Sequence, residues 1–133
     1  SEHVKFSAPE IKRGIWPFMV MAGLFRVMSR RAGLDFIMRG NQINAVEAKE
    51  QGLITEFYPE KDIGKKVQEL VDELAVLPPK AMKKGLNAFY KQEFKEFDEA
   101  MDFLEKQIAE TLQSDEAQEG ITAFLEKRPP NWK

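Results

Sequence analysis

Apolar residues recur at helical spacing along most of this chain, and only two short runs read as strands. Ile63, Val67, Leu70, Leu74 and Leu77 are spaced 4, 3, 4 and 3, which is one face of a helix. Asp62 suits its N-cap, and Pro78-Pro79 is a firm stop. Phe94, Phe97, Met101, Leu104, Ile108 and Leu112 mark a second amphipathic helix. Lys80 to Gln92 reads as helix with Gly85 as its weak point, and Ser114 or Asp115 caps a last helix that ends before Pro129. Upstream, Pro17 favours a helix start. Arg30 to Arg39 is a short helix that Gly40 can close in the left-handed conformation. Asn44-Ala45-Val46-Glu47 has the layout of a capping box, for a helix that stops at Gly52.

The strand candidates are Val4–Ser7, where Pro9 bars helix at Ala8, and Leu53–Tyr58, ended by Pro59. The expected fold class is mostly α with one or two short β-strands. Six helical segments with apolar stripes can form a bundle, but two isolated strands cannot form a sheet, and each would lack partners. The N-terminal strand therefore reads as cut from something larger.

At 133 residues the chain is long enough for one core or for a piece of a larger domain. The net charge of −2 does not advertise nucleic-acid binding. It is unevenly spread, +4 over residues 1–40 and −6 over the rest. That pattern suits either a solvated surface or a basic section that meets a polyanion. With no cysteine, disulfides, thiolate metal sites and cysteine nucleophiles are excluded, and His3 as the single histidine excludes a two-histidine metal site; no metal is expected. The longest apolar stretch, Ile15 to Val27, is interrupted and too short to span a bilayer, and no signal peptide is visible. A reducing, cytoplasmic setting without membrane contact fits. So does a mitochondrial matrix origin, with any transit peptide upstream of Ser1.

Among many surface carboxylates Glu10 stands apart. It follows Pro9 at a strand-to-loop junction and precedes Ile15, Trp16 and Phe18, which could desolvate it. Desolvation disfavours the charged form of a carboxyl and suits it to proton transfer. Pairing with Lys12 or Arg13 is the ordinary alternative. The six methionines read as flexible core filler and Trp132 as a terminal anchor.

Phe6-Ser7-Ala8-Pro9-Glu10-Ile11, followed by Gly14-Ile15-Trp16-Pro17, resembles the F-G-x-P-E-(I/V)-x-x-G-x-x-P segment of the enoyl-CoA hydratase/isomerase (crotonase) superfamily. Arg39 to Ala48 is similar to its T-G-x-x-I-x-A-x-E-A, and Gln51-Gly52-Leu53-Ile54 to its x-G-L-V. Glu119 to Arg128 is similar to its terminal E-G-x-x-A-F-x-E-K-R. The four matches run in order along nearly the whole chain. The resemblance implies the C-terminal portion of the α/β crotonase (ClpP/crotonase-like) fold, including its helical trimerisation region. Residues 1–60 would be the end of the core and residues 61–133 the helical oligomerisation region. The family's N-terminal half, a spiral of β-β-α units, carries both oxyanion-hole amides and the hydratases' other glutamate. Nothing in this chain matches it, so the chain reads as an excised piece, a proteolytic remnant or a split product.

The implied function is syn hydration of a 2-enoyl-CoA thioester through an enolate, with this chain alone inactive. The enolate oxygen needs two N–H donors, and loss of one such donor costs ~2.7–4 kcal/mol. By resemblance Glu10 delivers the α-carbon proton and helps hold the water. An isomerase can work with one carboxylate, so Glu10 does not separate the two activities. Hydratases typically continue as P-G-A-G-G-T, where this chain has Pro17-Phe18-Met19-Val20-Met21-Ala22. The Phe18 amide, at a helix start, could still point at water, yet its ring would fill space that glycine leaves open unless it packs elsewhere. The resemblance places Phe124 and Lys127 near the CoA nucleotide, often of a neighbouring subunit; a core Phe124 and a solvated Lys127 are the plainer alternative. The substrate-contacting set is thus Ile15, Trp16, Phe18, Phe124 and Lys127, with Glu10 catalytic. No cofactor is implied beyond coenzyme A as part of the substrate. Implied partners are the missing half and further copies in a trimer or hexamer. The competing class is a helical self-association module without catalysis.

Overall fold

A computed structural model describes residues 1–132. Its elements are β1 (Lys5–Phe6), a 3-10 turn (Pro9–Arg13), α1 (Phe18–Leu24), α2 (Arg30–Arg39), β2 (Ile43–Asn44) and α3 (Ala45–Glu50). A second 3-10 turn (Glu60–Asp62) leads into α4 (Ile63–Ala75), followed by α5 (Pro79–Gln92), α6 (Phe97–Leu112) and α7 (Asp115–Glu126). The chain divides into two compact units, Ser1–Gln68 and Glu69 onward. No helix among the described residues is long and apolar enough to cross a membrane.

The first unit is organised around Ile37, which is fully buried, with Ala8, Leu24, Met28, Phe36, Ile43 and Ala48. Each such large apolar side chain contributes roughly 1.5–3 kcal/mol by leaving water. Local chemistry sets the helix ends that frame this core. The Ser29 hydroxyl accepts from the Ala32 N–H at the start of α2, and Gly40 ends it at φ 56°. At α3 the capping box forms in full: the Asn44 side chain accepts from the Glu47 N–H at 3.0 Å, and the Glu47 carboxylate accepts from the Asn44 N–H at 2.8 Å. Gly52, at φ 78°, turns the chain after α3.

Leu53–Tyr58 is not a strand. The Leu53 and Ile54 N–H groups donate to the Ala48 carbonyl at 2.8 and 3.3 Å, closing the end of α3, and both side chains pack on the core. Their donors are therefore unavailable to a ladder. The second strand is instead Ile43–Asn44, antiparallel to β1, with Lys5 opposite Asn44 and Phe6 opposite Ile43. Val4–Ser7 thus shortens to Lys5–Phe6 and finds a partner within the chain, although a two-residue ladder is far below what stands alone.

In the second unit α5, α6 and α7 pack on one another, and Ala88, Ala100 and Ala123 are buried. Ser114, not Asp115, caps α7 by accepting from the Ala117 N–H at 3.2 Å. Asp62 lies within the 3-10 turn that runs into α4, and Phe94 precedes α6. The methionines do not behave as one class: Met28 is buried, Met21 and Met82 are half-buried, and Met19, Met38 and Met101 are exposed. The stripe of α4 (Val67, Leu70, Leu74) and that of α6 (Phe97, Met101, Ile108, Leu112) stay exposed.

Candidate functional site

The segment that carries Glu10 is held by backbone closure. Pro9 opens the 3-10 turn and Gly14, at φ 74°, ends it with its N–H on the Glu10 and Ile11 carbonyls. The Ile15 N–H also donates to the Glu10 carbonyl, at 3.1 Å. From behind, the end of α2 presses close. A Cβ on Gly40 would lie 2.8 Å from Ile11 Cγ2 and 3.2 Å from the Ala8 carbonyl oxygen. Gly40 therefore serves twice, supplying the left-handed turn and leaving room for the loop.

Glu10 itself is half-buried, and its Oε2 is buried with no hydrogen-bond partner among the described residues. The ordinary alternative fails on the Lys12 side, since Lys12 Nζ donates to Asn41 Oδ1 at 3.0 Å. An unpartnered buried carboxylate oxygen is costly, and native folds leave few. It is the kind of acceptor that a ligand or water can satisfy.

The apolar neighbours expected around Glu10 are only partly inward. Trp16 is half-buried on the core, and its indole N–H donates to Met21 Sδ at 3.4 Å. Ile15 is 57% exposed and Phe18 67% exposed. The Phe18 N–H donates to the Trp16 carbonyl at 2.9 Å, so that amide is engaged rather than directed at water. Met21 also lines a groove of about 410 Å³ with Phe25, Arg30 and Leu34, an apolar trough with one guanidinium on its wall.

The second cluster lies in the second unit. Phe124 is 82% exposed, which removes a core role for it. Lys127 ends α7 at φ 55° and is the single non-glycine residue with positive φ among the described residues. For a residue with a Cβ that conformation costs roughly 1–2 kcal/mol. Around it the chain is tied down. Arg128 grips Glu119 with two parallel bonds, Nη1–Oε1 at 2.6 Å and Nη2–Oε2 at 3.0 Å, while its Nε reaches Glu126 at 2.6 Å. These bonds, Glu119's first, raise the Arg128 guanidinium further above its ordinary range. Glu119 Oε1 also accepts from the Asn131 N–H at 2.8 Å. The Trp132 indole donates to the Val76 carbonyl at 2.9 Å, and its ring lies over Gly120. Trp132 is thus an anchor.

Two features escape reading by motif. The tail clamp uses Glu119, Glu126 and Arg128, which the terminal motif contains without assigning them a role. Glu116 has no local signal at all. It is 4% exposed, and its two oxygens accept the Lys80 and Ala81 N–H groups at 3.0 and 2.8 Å.

The family model described as enoyl-CoA hydratase/isomerase matches residues 1–133. Among curated relatives, the human mitochondrial enoyl-CoA hydratase domain-containing protein 3 is 29% identical over 99% of this chain and 44% of its own length. Enoyl-CoA hydratase EchA19 of Mycobacterium tuberculosis is 34% identical over 99% of this chain and 50% of its own length. A crystal structure of enoyl-CoA hydratase from Mycobacterium smegmatis superposes with a TM-score of 0.91 at 26% identity, covering 98% of this chain and 51% of that one. The chain spans about half the length of the relatives it matches, and its mostly helical fold corresponds to the C-terminal part of theirs. With a match that runs its whole length, the chain belongs to the enoyl-CoA hydratase/isomerase family.

Proposed function

We propose that this chain forms the C-terminal half of an enzyme that adds water to 2-enoyl-CoA thioesters through an enolate, with Glu10 exchanging the α-carbon proton. The observation that supports this most is the buried Oε2 of Glu10, unpartnered among the described residues, on a loop held by closures on both sides. A carboxyl so placed loses hydration, and the closures limit its travel, which is what proton transfer to carbon requires. The enolate donors would come from the other half, so the isolated chain is inactive. Exposed Phe124 stacks on the adenine of coenzyme A and Lys127 pairs with its phosphates, while Ile15, Trp16 and Phe18 border the acyl group.

Glu10→Gln in the intact protein tests this, with crotonyl-CoA hydration as the assay. The expected loss in kcat is about 100-fold or more, since general acid–base groups contribute 10²–10⁴-fold. An unchanged kcat refutes the role, and crotonyl-CoA turnover by the 133-residue chain alone refutes its inactivity. Isomerisation of a 3-enoyl-CoA by the same protein would move the assignment to isomerase.

The exposed stripes of α4 and α6 favour a second reading, self-association. Light scattering after size exclusion tests it, and a clean monomer argues against it.

A further inference from the structure

The left-handed backbone at Lys127 closes α7, its N–H meeting the Ala123 and Phe124 carbonyls, yet the residue that adopts it is not a glycine. Gly40, Gly14 and Gly52 adopt positive φ where a glycine is free to do so, but position 127 carries a long charged side chain. What surrounds it is a dense set of bonds to one carboxylate. Glu119 lies on α7 about two turns before its end. It takes both terminal nitrogens of Arg128, the next residue, and the Asn131 N–H beyond. A bidentate guanidinium–carboxylate pair fixes direction as well as distance. The chain reverses at Lys127 and so brings Arg128 back to Glu119. The Arg128 N–H, on the Ala123 carbonyl at 3.0 Å, closes that reversal.

We propose that Glu119 is a positioning residue: by clamping Arg128 it holds Lys127 left-handed and thereby aims the lysine ammonium at the anionic groups of coenzyme A. The proposal rests on the ligand role given to Lys127 above. Glu119 touches no ligand in this scheme and acts only through the backbone of residue 127. Strain held in place by neighbouring bonds is common where a side chain must be presented in one direction.

The test is calorimetric titration of free coenzyme A into the intact protein and into Lys127→Gln, Glu119→Gln and the double variant. We expect Lys127→Gln and Glu119→Gln each to weaken binding about tenfold. The double variant should bind no more weakly than Lys127→Gln, because Glu119 has nothing left to aim. If Lys127→Gln binds normally, the ligand role itself fails. If Lys127→Gln weakens binding and Glu119→Gln does not, the role stands and the positioning is overturned. Losses that add in the double variant also overturn it, since a general structural contribution would add. Should Glu119→Gln fail to fold, Arg128→Lys replaces it. That variant keeps the charge and loses the two-pronged grip, and it should weaken binding to the same degree; normal binding by Arg128→Lys overturns the proposal.

Discussion

Replacing Glu116 tests whether one helix caps another in the second unit. The start of α5 is built from Pro78 at the cap and Pro79 at the first position, so neither offers a side-chain acceptor. The first N–H groups that need a partner belong to Lys80 and Ala81, and Glu116 of α7 takes both, one per oxygen. A hydrogen bond to a charged group is worth roughly 1.5–3 kcal/mol, which bounds the pair at about 6 kcal/mol. The helix dipole adds favourably to a carboxylate at an N-terminus, by up to about 2 kcal/mol when partly buried. Against this stands the desolvation of a carboxylate that is 4% exposed, several kcal/mol. Glu116→Ala, which removes both acceptors, should therefore cost about 2–4 kcal/mol, and Glu116→Gln, which keeps one, about half as much. Urea unfolding followed by circular dichroism measures both. At an m-value of about 1.5 kcal/mol/M the alanine variant's midpoint falls by roughly 1.3–2.7 M. Glu110→Ala serves as the control: it breaks the Lys84–Glu110 pair, in which Glu110 is 63% exposed, and should cost at most about 1 kcal/mol. A Glu116→Ala loss below about 0.5 kcal/mol would refute the capping argument.

Two further substitutions probe the frame around Glu10. Gly40→Ala forces a Cβ to within 2.8 Å of Ile11 Cγ2 at φ 56°, so it should destabilise the chain by more than about 2 kcal/mol in the same unfolding assay, through strain and overpacking together. Asn44→Ala removes the side-chain half of the capping box and should cost about 1 kcal/mol; Asn44→Asp should retain most of the stability.

Several features were legible from residue order because their causes are local. Ser29, Asn44 with Glu47, and Ser114 bond to N–H groups within three residues, and Gly40 and Gly52 supply turns that need no distant partner. The loop at Glu10 was legible through Pro9 and Gly14, and the family through motifs that span the chain. The run Leu53–Tyr58 shows where local preference gives out. Its β-prone side chains serve as core, and its first N–H groups are taken by the end of the preceding helix.

What residue order by itself determined is the helical content, most helix ends and the kinship of the chain, since periodicity and capping act over a few residues and motifs persist along the sequence. Only the tertiary structure decided which strand pairs with β1, that Glu10 keeps one carboxylate oxygen unpartnered among the described residues, that Glu116 caps a helix beginning 37 residues earlier, and that Glu119 binds the tail at Arg128. Each of these depends on a distance between residues far apart in the chain. Such distances come from how whole helices pack, which no local pattern encodes.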